Sequence, residues 1–166
     1  MQVSLIIKSI IFTILIPGVG IILIPYLIIS GTSGIIYPNL SIINVILLLV
    51  GISAFIVLLS CIWNFAVYGK GTLAPVAPPK NLVACGIYRH TRNPMYLAVL
   101  TILLSESILF WSIYMLLYFF TAVVVFHLFV ILYEEPKLEE EFGESYLRYS
   151  KSVPRWMIKI KPYVNE

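Results

Sequence analysis

Two short stretches decide how this chain folds: Arg92-Asn93-Pro94-Met95-Tyr96 and Tyr133-Glu134-Glu135-Pro136. The first stands where a polar loop enters an apolar run, and the second where the next apolar run ends. About 36 mostly apolar residues lie between them, enough to enter a bilayer and return as a helical hairpin. Two polar clusters distant in sequence are thereby brought to one membrane surface, where they are expected to form a single site.

Outward from that hairpin the composition agrees. Of 166 residues, 60% are hydrophobic and only 11% charged, with mean hydropathy +0.98. A soluble domain has no use for so much apolar surface, so the reading is an all-α integral-membrane domain spanning 1–166. There is no Asp, and seven of the eight Glu lie in the last 33 residues. A net charge of +3, locally mixed, gives no grounds for a nucleic-acid partner. Cys61 and Cys85 form no metal-ligand or CxxC pattern, so no metal site is expected and a disulfide is disfavoured.

Four membrane helices are predicted. Residues 4–29 form the first, with Lys8 near its start and Pro17, Gly18, Gly20 and Pro25 expected to kink or break it. It reads as a retained span, since it is too long for a signal peptide and has no small-residue cleavage site. After an uncharged loop at 30–41, Ile42 to about Val67 forms the second, with Asn64 as its main polar residue. Residues 1–68 thus carry two spans. Residues 69–92 hold Lys70, Lys80, Arg89 and Arg92 with Pro75, Pro78 and Pro79, a loop whose positive charge puts it, and both termini, on the cytoplasmic side. Pro94 suits the first turn of the third helix. That helix, Met95 to Leu109, is short, and is either re-entrant or just reaches the far interface. After a turn near Phe110-Trp111-Ser112 the fourth runs from Ile113 to Tyr133. Beyond Pro136, Leu138, Phe142, Tyr146 and Tyr149 recur at helical spacing, which predicts an amphipathic interfacial helix stopped at Val153-Pro154. The basic tail, 157–166 with Arg155 and Trp156 before it, suits anionic headgroups.

The candidate site follows from these placements. Glu134 and Glu135 are adjacent at the expected end of a span, where an acid opposes the helix dipole. The bland alternative is a pair of interfacial acids. Asn93 is positioned to cap the third helix through its side-chain oxygen, leaving first-turn N–H groups for a carboxylate or phosphate. Arg89, His90 and Arg92 serve equally as a topogenic basic cluster. Tyr96, Leu100 and Leu104 descend one face from the loop. His127, seven residues before Glu134, is expected to share its helix face, although a lone histidine in a span is more often a buried, hydrogen-bonded residue than a catalyst. Glu106 reads as a far-side interfacial acid, and Gly69-Lys70-Gly71 as a turn or a close backbone approach to a ligand.

These residues, followed by Phe142-Gly143, Tyr146, Tyr149 and Val153-Pro154-Arg155, resemble the isoprenylcysteine carboxyl methyltransferase family and its relatives, the phospholipid N-methyltransferases, across residues 69–156. The resemblance implies a membrane methyltransferase using S-adenosylmethionine on a membrane lipid or other lipophilic acceptor. Arg92, His90, Asn93, Pro94 and Tyr96 would line the cofactor site, and Glu134 or Glu135 would take its ammonium group. Gly71, Thr72 and Leu73 would wrap the adenosine. Arg155 would meet a substrate anion or headgroup, and His127 or a Glu would accept a proton from an amine or thiol acceptor. Asn93 stands where the carboxyl methyltransferases usually carry His and the phospholipid enzymes carry Asn, which weakens a prenylcysteine assignment. The acceptor stays open among a prenylcysteine carboxylate, an ethanolamine headgroup, a small thiol and an isoprenoid acid. Two other readings remain: an NADPH-dependent membrane reductase similar to sterol reductases in its final segment, and a non-catalytic membrane scaffold or lipid-binding protein. The helix faces carry no clear small-residue seam, so oligomeric state is unreadable.

Overall fold

A computed structural model describes residues 17–32, 41–69 and 81–164. The expectations for Lys8, the loops at 33–40 and 70–80, and the adenosine-wrapping residues Gly71, Thr72 and Leu73 lie outside the described residues. The described chain forms helices and no strand. They are α1 (Val19–Thr32), α2 (Ile42–Gly69), α3 (Pro94–Leu109), α4 (Ile113–Phe142) and α5 (Glu144–Ser152), with a short 3₁₀ turn at Gly86–Arg89. Helices α2 and α4, at 28 and 30 residues, are long and apolar enough to cross a membrane, while α1 and α3 are shorter apolar helices.

The short helix is the central one. Its Ala98, Ile102 and Leu103 join Ile21 of α1, Ala54 and Leu58 of α2 and Ala122 of α4 in one buried cluster. Small residues allow the close approach: Gly51 of α2 faces Ser105 of α3, and a Cβ added at Gly51 would lie 3.9 Å from that of Ser105. Large apolar side chains on the outer face of α2, among them Ile43, Leu49, Ile56 and Trp63, are exposed. This inverts a soluble protein and suits a lipid surround. Ser112 caps α4 by accepting from the Met115 N–H at 3.4 Å, after Trp111 adopts a left-handed φ of 48°.

Pro25 was expected to kink or break its helix, and the span before Pro136 to end at Tyr133; neither helix stops. In α1 a wide π-turn at Val19–Leu23 precedes Pro25, and in α4 another at Val130–Glu134 precedes Pro136. The Glu135 N–H reaches back five residues to the Val130 carbonyl, as the Ile24 N–H does to Val19. A proline ring would collide with the carbonyl four residues earlier, and the widened turn moves that carbonyl aside. Helix α4 therefore continues to Phe142 rather than ending at Tyr133. Glu134 and Glu135 lie within a helix, and the expected conflict with its C-terminal dipole does not arise.

The amphipathic segment is a second correction. It breaks at Gly143, with φ 52° and ψ −128°, so Leu138 and Phe142 belong to α4 while Tyr146 and Tyr149 belong to α5. The apolar stripe survives the break: Tyr146, Tyr149 and Val153 are buried against Leu82, Ala84, Leu138, Phe142 and Tyr163. An added Cβ at Gly143 would meet nothing within 4 Å, so the strain is in the backbone alone. Gly143→Ala should cost about 1–3 kcal/mol, read as a lowered unfolding midpoint in detergent. An unchanged midpoint would show that the turn relaxes into an ordinary conformation.

Candidate functional site

At the end of the bundle where α3 begins, the segment 89–93 is stitched to the tail. The Arg92 N–H donates to the Pro154 carbonyl at 3.0 Å, and the Lys159 N–H to that of His90 at 2.9 Å. The Tyr163 N–H donates to the Arg89 carbonyl at 3.0 Å. Thr91 Oγ1 and Asn93 Nδ2 both donate to the Arg155 carbonyl, at 3.3 and 3.2 Å. Asn93 thus spends its amide on the tail and makes no side-chain cap to α3, contrary to expectation. Pro94 occupies the first turn as expected and is buried. His90 is also structural, its Nδ1 paired with the Lys159 carbonyl at 2.7 Å. The basic tail is therefore a backbone partner of the loop, not only a surface for headgroups.

Above this stitching sits a charged cluster. Glu135 accepts from Arg155 Nε and Nη2 at 2.7 and 2.6 Å, a bidentate pair, and lies 3.0 Å from Arg92 Nη1. Arg92 Nη1 also donates to the Tyr146 hydroxyl at 3.2 Å. Hydrogen bonding to Glu135 holds Arg155 above its usual pKa. Burial, and secondarily the Glu135 carboxylate, pushes the Tyr146 phenol up, so it stays neutral and able to accept. Arg92 Nε is buried with no hydrogen-bond partner among the described residues.

Glu134 turns elsewhere. Its Oε2 accepts from the Tyr96 hydroxyl at 2.8 Å, joining α4 to α3. The Tyr96 ring packs on Phe126 at 4.9 Å between centroids. Adjacent on a helix, the two glutamates diverge, Glu134 to Tyr96 and Glu135 to the two arginines.

Arg92, Asn93, Tyr96, Glu134 and Glu135 all line one pocket, whose apolar walls include Phe65, Val83, Met95, Phe129 and Val130. Its space measures about 130 Å³. Tyr133 of the opening motif lines it too, as do Lys137 and Tyr88, which were not singled out from the sequence. Lys137 Nζ lies 5.7 Å from the centre of the Tyr133 ring. His127 does not join the pocket. It is exposed, with Nδ1 accepting from the Trp156 indole at 3.1 Å, because the π-turn between it and Glu134 rotates the two off a common face. Arg155 does not line the pocket and reaches it through its side-chain pair with Glu135 and through its carbonyl, which accepts from Asn93. The two cysteines are free thiols.

Compared with known families, residues 40–145 match phospholipid methyltransferase. No curated protein and no solved structure matches the chain.

Proposed function

The chain belongs to the phospholipid methyltransferase family, and from that premise we propose that it transfers a methyl group from S-adenosylmethionine to a lipophilic acceptor at the membrane edge. One observation carries the reading: Tyr96–Glu134 and Arg92–Glu135–Arg155 open on one pocket at the end of an apolar hairpin.

The residues present suit that cofactor. The orphaned Arg92 Nε and the first-turn N–H groups of α3, which lack a side-chain cap, would hold a carboxylate. Glu135 is already engaged by two arginines, which leaves Glu134, with Tyr96 as its sole hydrogen-bond donor among the described residues, to take an ammonium. The apolar and aromatic walls suit an adenine and a sulfonium. A space of about 130 Å³ holds little more than one ring, so the rest of the cofactor would extend beyond it.

When bound, S-adenosylmethionine supplies an electrophilic methyl group and departs as a neutral thioether. The protein's part is to align donor and acceptor and exclude water, which is worth up to roughly 7–11 kcal/mol in ideal cases. A carboxylate acceptor needs no base. An amine or thiol must lose a proton; with Glu134 committed to the cofactor's ammonium, that proton goes to solvent or, for an acceptor reaching the outer face, to His127. With the 69–92 loop cytoplasmic by its positive charge, the cofactor arrives from the cytoplasm and the acceptor laterally from the bilayer.

The test is calorimetric titration of the detergent-purified protein with S-adenosylmethionine, S-adenosylhomocysteine and NADPH. Micromolar binding of both adenosyl ligands with NADPH silent is the expected result. Silence from all three in a folded, monodisperse sample would overturn it.

A further inference from the structure

A second cavity lies away from the charged cluster, between α1, α2 and α3. It measures about 310 Å³ and is walled by Ile21, Leu47, Ile52, Ile102 and Leu109, with Gly51 opening its side. Among the described residues one charged side chain enters it, that of Glu106, ten residues and about 15 Å along α3 from Tyr96. Glu106 Oε2 is buried and has no hydrogen-bond partner among the described residues. Ser105, the other polar lining residue, donates its hydroxyl to the Thr101 carbonyl at 2.8 Å and has no proton to spare. Among the described residues, no Lys, Arg or His lines the cavity.

An ionisable group within a membrane bundle is costly and normally finds a partner. Here the structure offers a carboxyl group in an apolar pocket at the lower end of ligand-site volumes, roughly 300–1,000 Å³. A cluster of waters would satisfy the oxygen but leave the aliphatic walls wetted. A molecule with an aliphatic body and a cationic, multiply donating end satisfies both.

We propose that this cavity binds the amine end of a membrane-borne amphiphile, with Glu106 receiving the ammonium and the α1–α3 walls receiving the aliphatic segment. The amine matches the site better than an alcohol because it brings the opposite charge together with its N–H donors. The site is separate from the proposed methyl-transfer pocket, and the inference does not depend on that reading.

The probe is a photoactivatable diazirine-bearing long-chain alkylamine, applied to the full chain in detergent, with cross-linked peptides mapped by mass spectrometry. Labelling is expected on the Leu47–Phe55 part of α2 and the Ile102–Leu109 part of α3. Dodecylamine should compete and dodecanol should not. Glu106→Gln should weaken labelling about tenfold or more. Ile52→Trp, which enlarges a half-exposed lining side chain of α2, should block it. Equal competition by dodecanol on the unaltered protein would overturn the proposal, whatever the variants do. So would labelling confined to the Glu134 end, or undiminished labelling of a folded Glu106→Gln.

Discussion

Glu135→Ala should lower the unfolding free energy by about 3 kcal/mol, read from denaturant or thermal unfolding in detergent. The side chain is 17% exposed and stands between Arg92, 12% exposed, and Arg155, 31% exposed. Removing it strands two guanidinium groups that no longer share a counter-charge. One loses a bidentate pair, and the other keeps only Tyr146 as a side-chain partner among the described residues. Losing one member of a buried ion pair costs roughly 3–5 kcal/mol, and the exposure of Arg155 puts this case at the lower end. Because Arg155 also anchors Thr91 and Asn93 through its carbonyl, the loop before α3 should loosen as well. Faster amide exchange across 89–93 would accompany the lower midpoint. A midpoint equal to that of the unaltered protein would show that the cluster is ornamental to stability.

Glu134→Gln should behave in the opposite way, retaining the fold and losing the ligand. Its carboxylate contacts Tyr96 and neither arginine, and an amide oxygen can still accept from that hydroxyl. What disappears is the negative charge offered to an ammonium. A hydrogen bond to a charged group is worth about 1.5–3 kcal/mol, so S-adenosylhomocysteine should bind roughly ten- to a hundredfold more weakly. Tyr96→Phe, which frees Glu134 without discharging it, should weaken binding less. If Glu134→Gln binds like the unaltered protein while Glu135→Gln does not, the assignment of the ammonium to Glu134 is wrong and belongs to its neighbour. The paired variants thus separate a residue that builds the site from one that uses it.

Much of the architecture was legible because it follows from composition and period. Apolar run lengths marked α2 and α3 to within about two residues, and Phe110-Trp111-Ser112 marked the hairpin turn. The convergence of the 92–96 and 133–136 stretches was legible for the same reason: a hairpin returns its ends to one side. The continuation of α4 through Pro136 was not legible. A proline shows in the sequence, but the π-turn that accommodates it has no side-chain signature and alters the helical period on which face assignments rest. That hidden turn explains the misjudgement of His127, which a regular helix would have aligned with Glu134. Likewise Asn93 before Pro94 reads as a cap from local rules alone. Only the arrival of Arg155, sixty-two residues later, shows where its amide goes.

The stitching of the tail to the loop before α3 bears on how the protein comes into being. Translation delivers Arg92 and Tyr96 early and Glu134 and Glu135 later, and all the helices of the bundle can enter the bilayer before residue 155 exists. Yet the Glu135 carboxylate awaits Arg155, and the backbone of 89–92 awaits partners at 154, 159 and 163. The pocket is therefore completed only after the hairpin that lines it has been made. A nascent chain already anchored in the membrane would remain inactive until those residues emerge and fold back.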